Sequence, residues 1–340
     1  MTLWLVRAGK NGEREALALE KDVAVIGWEQ LPDLSKPATR DELTALLAWT
    51  YPNEKPKTLS NWESQVWPFA RVIVEGDLVV LPLKTRSTIA IGRVTGPYQY
   101  RSGLTSDGSL HTRPVKWLGE FPRSAFDQDL LYSLGAFMTV CRIQRNKAEE
   151  RVNAIIAGKS IKPTLQDAPR DKETSAEDAI PDIEQYASDQ IRNFIARRFK
   201  GHALSKLVAA ILTAEGYHVQ ISPEGPDGGV DIIAGKGALG FDAPRLAVQV
   251  KSSESPIDVK ILRELQGSMK SFGADQGLIV TWGGYGRAVA KEASRLFFQI
   301  RLWDSGDLVR MIQTHYDAIS DDIQADLPLQ RIWTLVPSDE

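Results

Sequence analysis

Asp231 stands at the start of a short apolar run, VDIIA, and Gln249 and Lys251 stand two apart in the next one, RLAVQVK. Side chains two apart on a strand share a face. Gln249 and Lys251 therefore emerge side by side, while Val248 and Val250 point the other way. An acid, a neutral oxygen donor and an ammonium converging on one spot form a minimal set for metal-assisted hydrolysis of a phosphodiester. Oxygen ligands hold a divalent cation, which offsets phosphate charge and activates water. A lysine supplies a compact positive charge for the developing transition state.

The elements around these residues must hold them in place. Glycine turns divide residues 216–251 into three strands, expected at 217–222, 230–234 and 245–251. Before them, Ile183–Phe199 and Leu204–Ala214 carry apolar residues at helical spacing, with Gly216 at the C′ position. After them come a helix over 257–272 with Ile261, Leu262, Leu265 and Met269 as its stripe, a strand at 277–281, a helix over 287–296, a strand at 300–303 and a helix over 308–316. Asp227, just before Gly-Gly, is expected to shape a turn rather than to bind metal. His202 reads as a capping or surface residue, and Trp282 as core.

The chain has 340 residues, which points to two domains. It is 43% apolar and 25% charged, with a net charge of −3. A nucleic-acid binder of this charge must cluster its basic residues rather than carry them in excess. Cys141 is the single cysteine, so neither a disulfide framework nor a cysteine-based zinc site is available. This suits a reducing, cytoplasmic setting in a prokaryote. The opening MTLWLVRAGKNGERE has charges within its apolar stretch and does not read as a secretory leader. No apolar run reaches membrane-spanning length. GGVD leads into a strand, and no GxxxxGK[ST] occurs, so no nucleoside-triphosphate site is expected.

Ahead of residue 145 the sequence reads as strands at 3–7, 23–28, 78–83, 89–94, 113–118 and 138–143, with helices beginning after Thr39 and over 61–72, Pro68 bending the second. This is the pattern of a small α+β barrel. A helix at 148–156 follows. Residues 158–182, polar and proline-punctuated, read as a linker. The expected division is 1–145, a helix and linker at 146–182, and 183–340.

GYHVQISPEGPDGGVDIIA, VQVKSS, LRELQG and GLIVTWGG resemble the Mrr-type branch of the PD-(D/E)xK restriction-endonuclease-like nucleases, over about residues 202–312. The resemblance implies an α/β domain with an αβββαβ core and a Mg²⁺-dependent endodeoxyribonuclease. Asp231, Gln249, Lys251 and Glu264 would be catalytic, Asp231 and Gln249 would hold the metal, and Glu264 would act as a supporting acid on the following helix. Two departures stand out. Gln249 replaces the acid usual in the wider fold, and HALSKLVAAIL offers no carboxylate until Glu215. Both predict a lightly charged site that gains oxygen ligands from DNA phosphate.

WLVRAG, VAVIGW, NWESQVWPFARVIVEGDLVVLPLK and IAIGRVTG resemble EVE/PUA-like modules over about residues 1–145. That resemblance implies an aromatic pocket for a modified or extruded base, whose stacking offsets the few kcal/mol that extrusion costs. Trp28 and Trp62 are the expected walls, and Asn61 the edge hydrogen-bonder. Lys84, Arg86, Arg101, Arg113 and Arg123 are candidates for phosphates, and Trp49 and Trp117 for core. Together the two resemblances imply a type IV-like restriction endonuclease acting on double-stranded DNA with a modified base, in antiviral defence, and working as a homodimer. A DNA-binding module with a degenerate nuclease domain, and a repair endonuclease for damaged or branched DNA, remain open alternatives.

Overall fold

The computed structural model describes residues 1–105, 108–136, 138–159, 182–223 and 229–334. Of the linker expected at 158–182, residues 160–181 lie outside the described residues, as does the turn at Asp227. Two compact units, Met1–Tyr186 and Ala187–Trp333, make up the chain.

The first unit begins with β1 (Leu3–Val6), α1 (Glu15–Glu20), β2 (Val23–Ile26), α2 (Arg40–Thr50) and α3 (Pro56–Trp67). It continues with β3 (Leu78–Pro82), β4 (Thr88–Val94), β5 (Gln99–Thr105), β6 (Gly108–Pro122), α4 (Gln128–Leu134), β7 (Val140–Arg142) and α5 (Ala148–Ile156). The strand order β2-β6-β4-β3-β1-β7, with β5 also on β6, gives a curled half-barrel where a small barrel was expected. Strands β1, β3 and β4 are buried along nearly their whole length because both faces are covered. Leu3, Leu5, Val80 and Ile91 face α4 and α5, while Trp4, Val6 and Val79 pack around Phe69.

Thr39 caps α2 by accepting the Glu42 N–H, as its position predicts. α3 starts earlier than expected, with Pro56 at its first turn, where proline gives up no helical hydrogen bond. Pro68 then opens a π-helical turn, Pro68–Val72, in which the Ile73 N–H reaches the Pro68 carbonyl. Arg113 secures this turn. Its guanidinium donates to the carbonyls of Phe69, Ala70 and Gly96, and burial lowers its pKa to about 10. Arg113 and Arg123 are each only 3% exposed, so both are structural and neither serves a phosphate. Trp49, expected in the core, is 78% exposed. It follows the buried Leu47 by two residues, which places it on the far side of α2. Trp117 is partly buried and donates to the Ala18 carbonyl.

α6 (Ile183–Arg198) leads into the second unit: α7 (His202–Ala214), β8 (His218–Ile221), β9 (Ile232–Lys236), β10 (Asp242–Lys251), α8 (Val259–Ser271), β11 (Gln276–Thr281), α9 (Arg287–Arg295), β12 (Ile300–Trp303) and α10 (Ser305–His315). The mixed sheet runs β12-β11-β10-β9-β8, parallel across β10, β11 and β12 and antiparallel between β10 and β9 and between β9 and β8. α7 ends as expected: Gly216 adopts φ 81°, and the Gly216 and Tyr217 N–H groups return to Thr213 and Leu212. One sheet face, with Val248, Val250 and Val280, packs on α7 and α10; the other, with Ala247 and Ile279, packs on α8 and α9. Trp282 is core. No helix of the described residues is long and apolar enough to cross a membrane.

Candidate active site and base pocket

Alternation along β10 puts Gln249 on the Ala247 side of the sheet, under α8, and Lys251 on the same side at the strand's end. Asp231 immediately precedes β9, one residue beyond the last register pair, Val248 with Ile232. Its backbone N–H bonds to the Val248 carbonyl at 2.9 Å. Its carboxylate accepts the Val250 N–H at 2.8 Å. The ladder stops here, and a side-chain oxygen takes the place of a backbone acceptor, which fixes the carboxylate beside the 249–251 segment. Ser222 donates its hydroxyl to the Val230 carbonyl.

Gln249 is 2% exposed, and its Oε1 is buried without a hydrogen-bond partner. A buried polar atom left unmet costs roughly 1–3 kcal/mol, so the fold retains this one against its own stability. Gly229 lies beside the amide, and its φ of 82° is the conformation that calls for glycine there. Lys251 is half-buried, and among the described residues its ammonium has no ion pair. The site end of β10 also meets the start of α7, where the Gly201 N–H reaches Ser252 Oγ.

The Asp231 carboxylate thus lies at the backbone of Val250, the residue between Gln249 and Lys251. Glu264 sits on the exposed side of α8, 3.7 Å from Lys260, and lines an open hollow with Gly229 and Ser268. Glu215 lies at the other end of α7, against His315. Among the described residues no group of three or more His, Cys, Asp or Glu side chains is placed to hold a metal. The donors at hand, one carboxylate and one unpartnered amide oxygen, suit a hard cation that keeps most of its coordination for water and phosphate.

In the first unit, Trp28 and Trp62 line one cavity of about 260 Å³, their rings 6.2 Å apart and nearly perpendicular. Asn61 is exposed and does not line it; instead it accepts from Gln65, whose Oε1 takes the Thr139 and Val140 N–H groups at the cavity wall. Arg86 is paired with Glu120 at 3.0 Å, away from the cavity. The lining that sequence reasoning missed is basic: Arg7, Lys10 and Arg14, joined by Lys84. These residues are scattered over nearly 80 positions, and only the curl of the sheet gathers them.

Residues 4–141 match a domain family of unknown function, DUF8426. Among solved structures, the DNA modification-dependent restriction endonuclease AspBHI is similar at 15% identity over 74% of this chain and 67% of that one, with a TM-score of 0.34. MspJI restriction endonuclease in complex with a 27-mer oligonucleotide is similar at 14% identity over 95% of this chain and 71% of that one, with a TM-score of 0.33. No curated protein matches the chain. Residues 196–312, which hold Asp231, Gln249 and Lys251, match the restriction endonuclease family Mrr_cat, so the C-terminal part of this chain is a restriction-endonuclease domain of that family.

Proposed function

We propose that this chain is a modification-dependent DNA endonuclease. Its first unit, an EVE/PUA-like reader, holds a modified base in the cavity lined by Trp28 and Trp62, and its second hydrolyses the phosphodiester backbone. The observation that carries the reading is the buried, unpartnered Gln249 Oε1 beside an Asp231 carboxylate pinned to the Val250 N–H, with Lys251 two residues on. Asp231 and Gln249 would hold a divalent cation, Mg²⁺, which supplies charge neutralisation and a more acidic water when bound. Lys251 offers its ammonium to the non-bridging phosphate oxygens as negative charge builds on them. Water adds to phosphorus, one P–O ester bond breaks, and the departing oxygen takes up a proton. Glu264 remains a candidate supporting acid. Two strands and one such centre per chain favour a homodimer, and the biological role would be restriction of foreign DNA.

The test is cleavage of modified and plain plasmid DNA in Mg²⁺ by the wild type, Lys251→Ala and Asp231→Asn. Wild type is expected to cut modified DNA preferentially, and each variant to lose at least about 100-fold in rate while still binding DNA, the scale of a lost transition-state contact. Wild-type inactivity on both DNAs, or full activity of Lys251→Ala, overturns the reading. The small number of carboxylates favours a second reading, a DNA binder with a degenerate nuclease domain. That binder would hold modified DNA equally with and without Mg²⁺ and cut none of it.

A further inference from the structure

The Trp28–Trp62 cavity is lined by four cationic side chains, Arg7, Lys10, Arg14 and Lys84, against one carboxylate, Asp182. Three of its acceptor groups are already engaged. Asp182 takes Lys84 Nζ on Oδ2 at 2.9 Å and the Gln185 N–H on Oδ1 at 3.0 Å. Gln65 Oε1 takes two backbone N–H groups. The Trp28 carbonyl takes the Leu31 N–H and contacts His111 Nε2. Donors remain in surplus. Arg14 is paired with Glu29. Arg7 spends Nη2 on the carbonyls of Leu134 and Ala136, but its Nε is buried with no partner. Burial also lowers the Arg7 pKa, with Asp182 opposing the shift. Lys10 stands exposed at the rim with no partner among the described residues.

A cavity with four cationic side chains against one carboxylate favours a ligand that brings acceptors. A methyl group on an extruded base offers none, whereas a carboxylate supplies a charge-assisted partner for the cationic lining, Arg7 and Lys10 among it. We propose that this cavity reads a pyrimidine carrying an anionic substituent, 5-carboxylcytosine rather than 5-methylcytosine, and that Arg7 selects it. The two tryptophans touch each other edge to face, so a flat base would lie against the pair rather than between them. The proposal rests on the reading of the first unit as a base reader.

The experiment measures binding of the full chain, in EDTA, to otherwise identical duplexes with a central cytosine that is plain, 5-methylated, 5-hydroxymethylated or 5-carboxylated. The carboxylated duplex is expected to bind about 10-fold or more tighter than the methylated one, the range of one charge-assisted hydrogen bond. Arg7→Met is expected to remove that preference. Arg7→Lys, which keeps the charge and loses the fork, is expected to retain part of it. The wild-type ranking decides the matter even if a variant fails to fold. A methylated duplex that binds as tightly as the carboxylated one, with both above plain DNA, overturns this proposal and leaves the reader intact. Equal binding of all four duplexes overturns the reader itself.

Discussion

At the scale of single residues, Gln249 separates a functional role from a structural one. A glutamine kept for stability would have its amide satisfied, yet its Oε1 has no partner at 2% exposure. Removing such an atom while preserving volume relieves a desolvation cost. Gln249→Leu is therefore expected to leave the fold as stable as wild type or more stable by about 1 kcal/mol, raising Tm by a few degrees, while abolishing cleavage. Thermal melts and plasmid cleavage check both halves. A large drop in Tm would show that the glutamine supports the fold instead. The trade of stability for function that this predicts is common at sites built to receive a ligand.

At the scale of elements, the pocket wall depends on a relay that crosses the half-barrel. Trp28 adopts φ 61°, a left-handed conformation that costs a non-glycine residue energy. Its carbonyl lies 3.2 Å from His111 Nε2, and His111 Nδ1 lies 2.8 Å from the Tyr98 hydroxyl, which accepts the Leu34 N–H. A carbonyl only accepts, so Nε2 carries a proton, and in the neutral ring that burial favours, Nδ1 accepts from the Tyr98 hydroxyl. Burial holds the His111 pKa below its ordinary 6.5. The sign follows: as pH falls through about 6.5, the unfolded chain binds a proton that the folded chain refuses, so stability declines from there down to the folded pKa. Tm is expected to fall over that window, and His111→Gln to flatten the fall. Wild-type and variant melts recorded from pH 7 downward check it, and parallel profiles would remove His111 from the account. Little of this was legible in the sequence. The second unit reads clearly because its strands are short apolar runs between glycine turns and its helices carry apolar stripes. Gln249 and Lys251 sharing a face follows from the period of a strand alone. In the first unit, QYRSGLT has no apolar alternation to announce β5, EALALE follows an Asn-Gly turn that masked α1, and Arg113 has a basic residue's identity but a buried residue's place. Those positions are fixed by strand pairing across distant segments, which no local pattern records.

At the scale of the whole molecule, a net charge of −3 makes DNA binding a matter of local basic clusters. The five residues that sequence offered for phosphates are sorted by their surroundings. Arg113 and Arg123 are buried, Arg86 is paired with Glu120, and Lys84 with Asp182. Arg101, half-buried on β5 with no ion pair among the described residues, is the one left available for a backbone contact. A phosphate contact carries no base information, so its loss should weaken modified and plain DNA alike and lower the salt dependence. Arg101→Gln is expected to reduce the slope of log K against log salt by about 0.9, the share of one phosphate on duplex DNA, with the preference for modified DNA unchanged. Binding titrations across a salt series, on both DNAs, measure slope and preference together. An unchanged slope would take Arg101 off the DNA path, and a changed preference would place it at the base instead of the backbone.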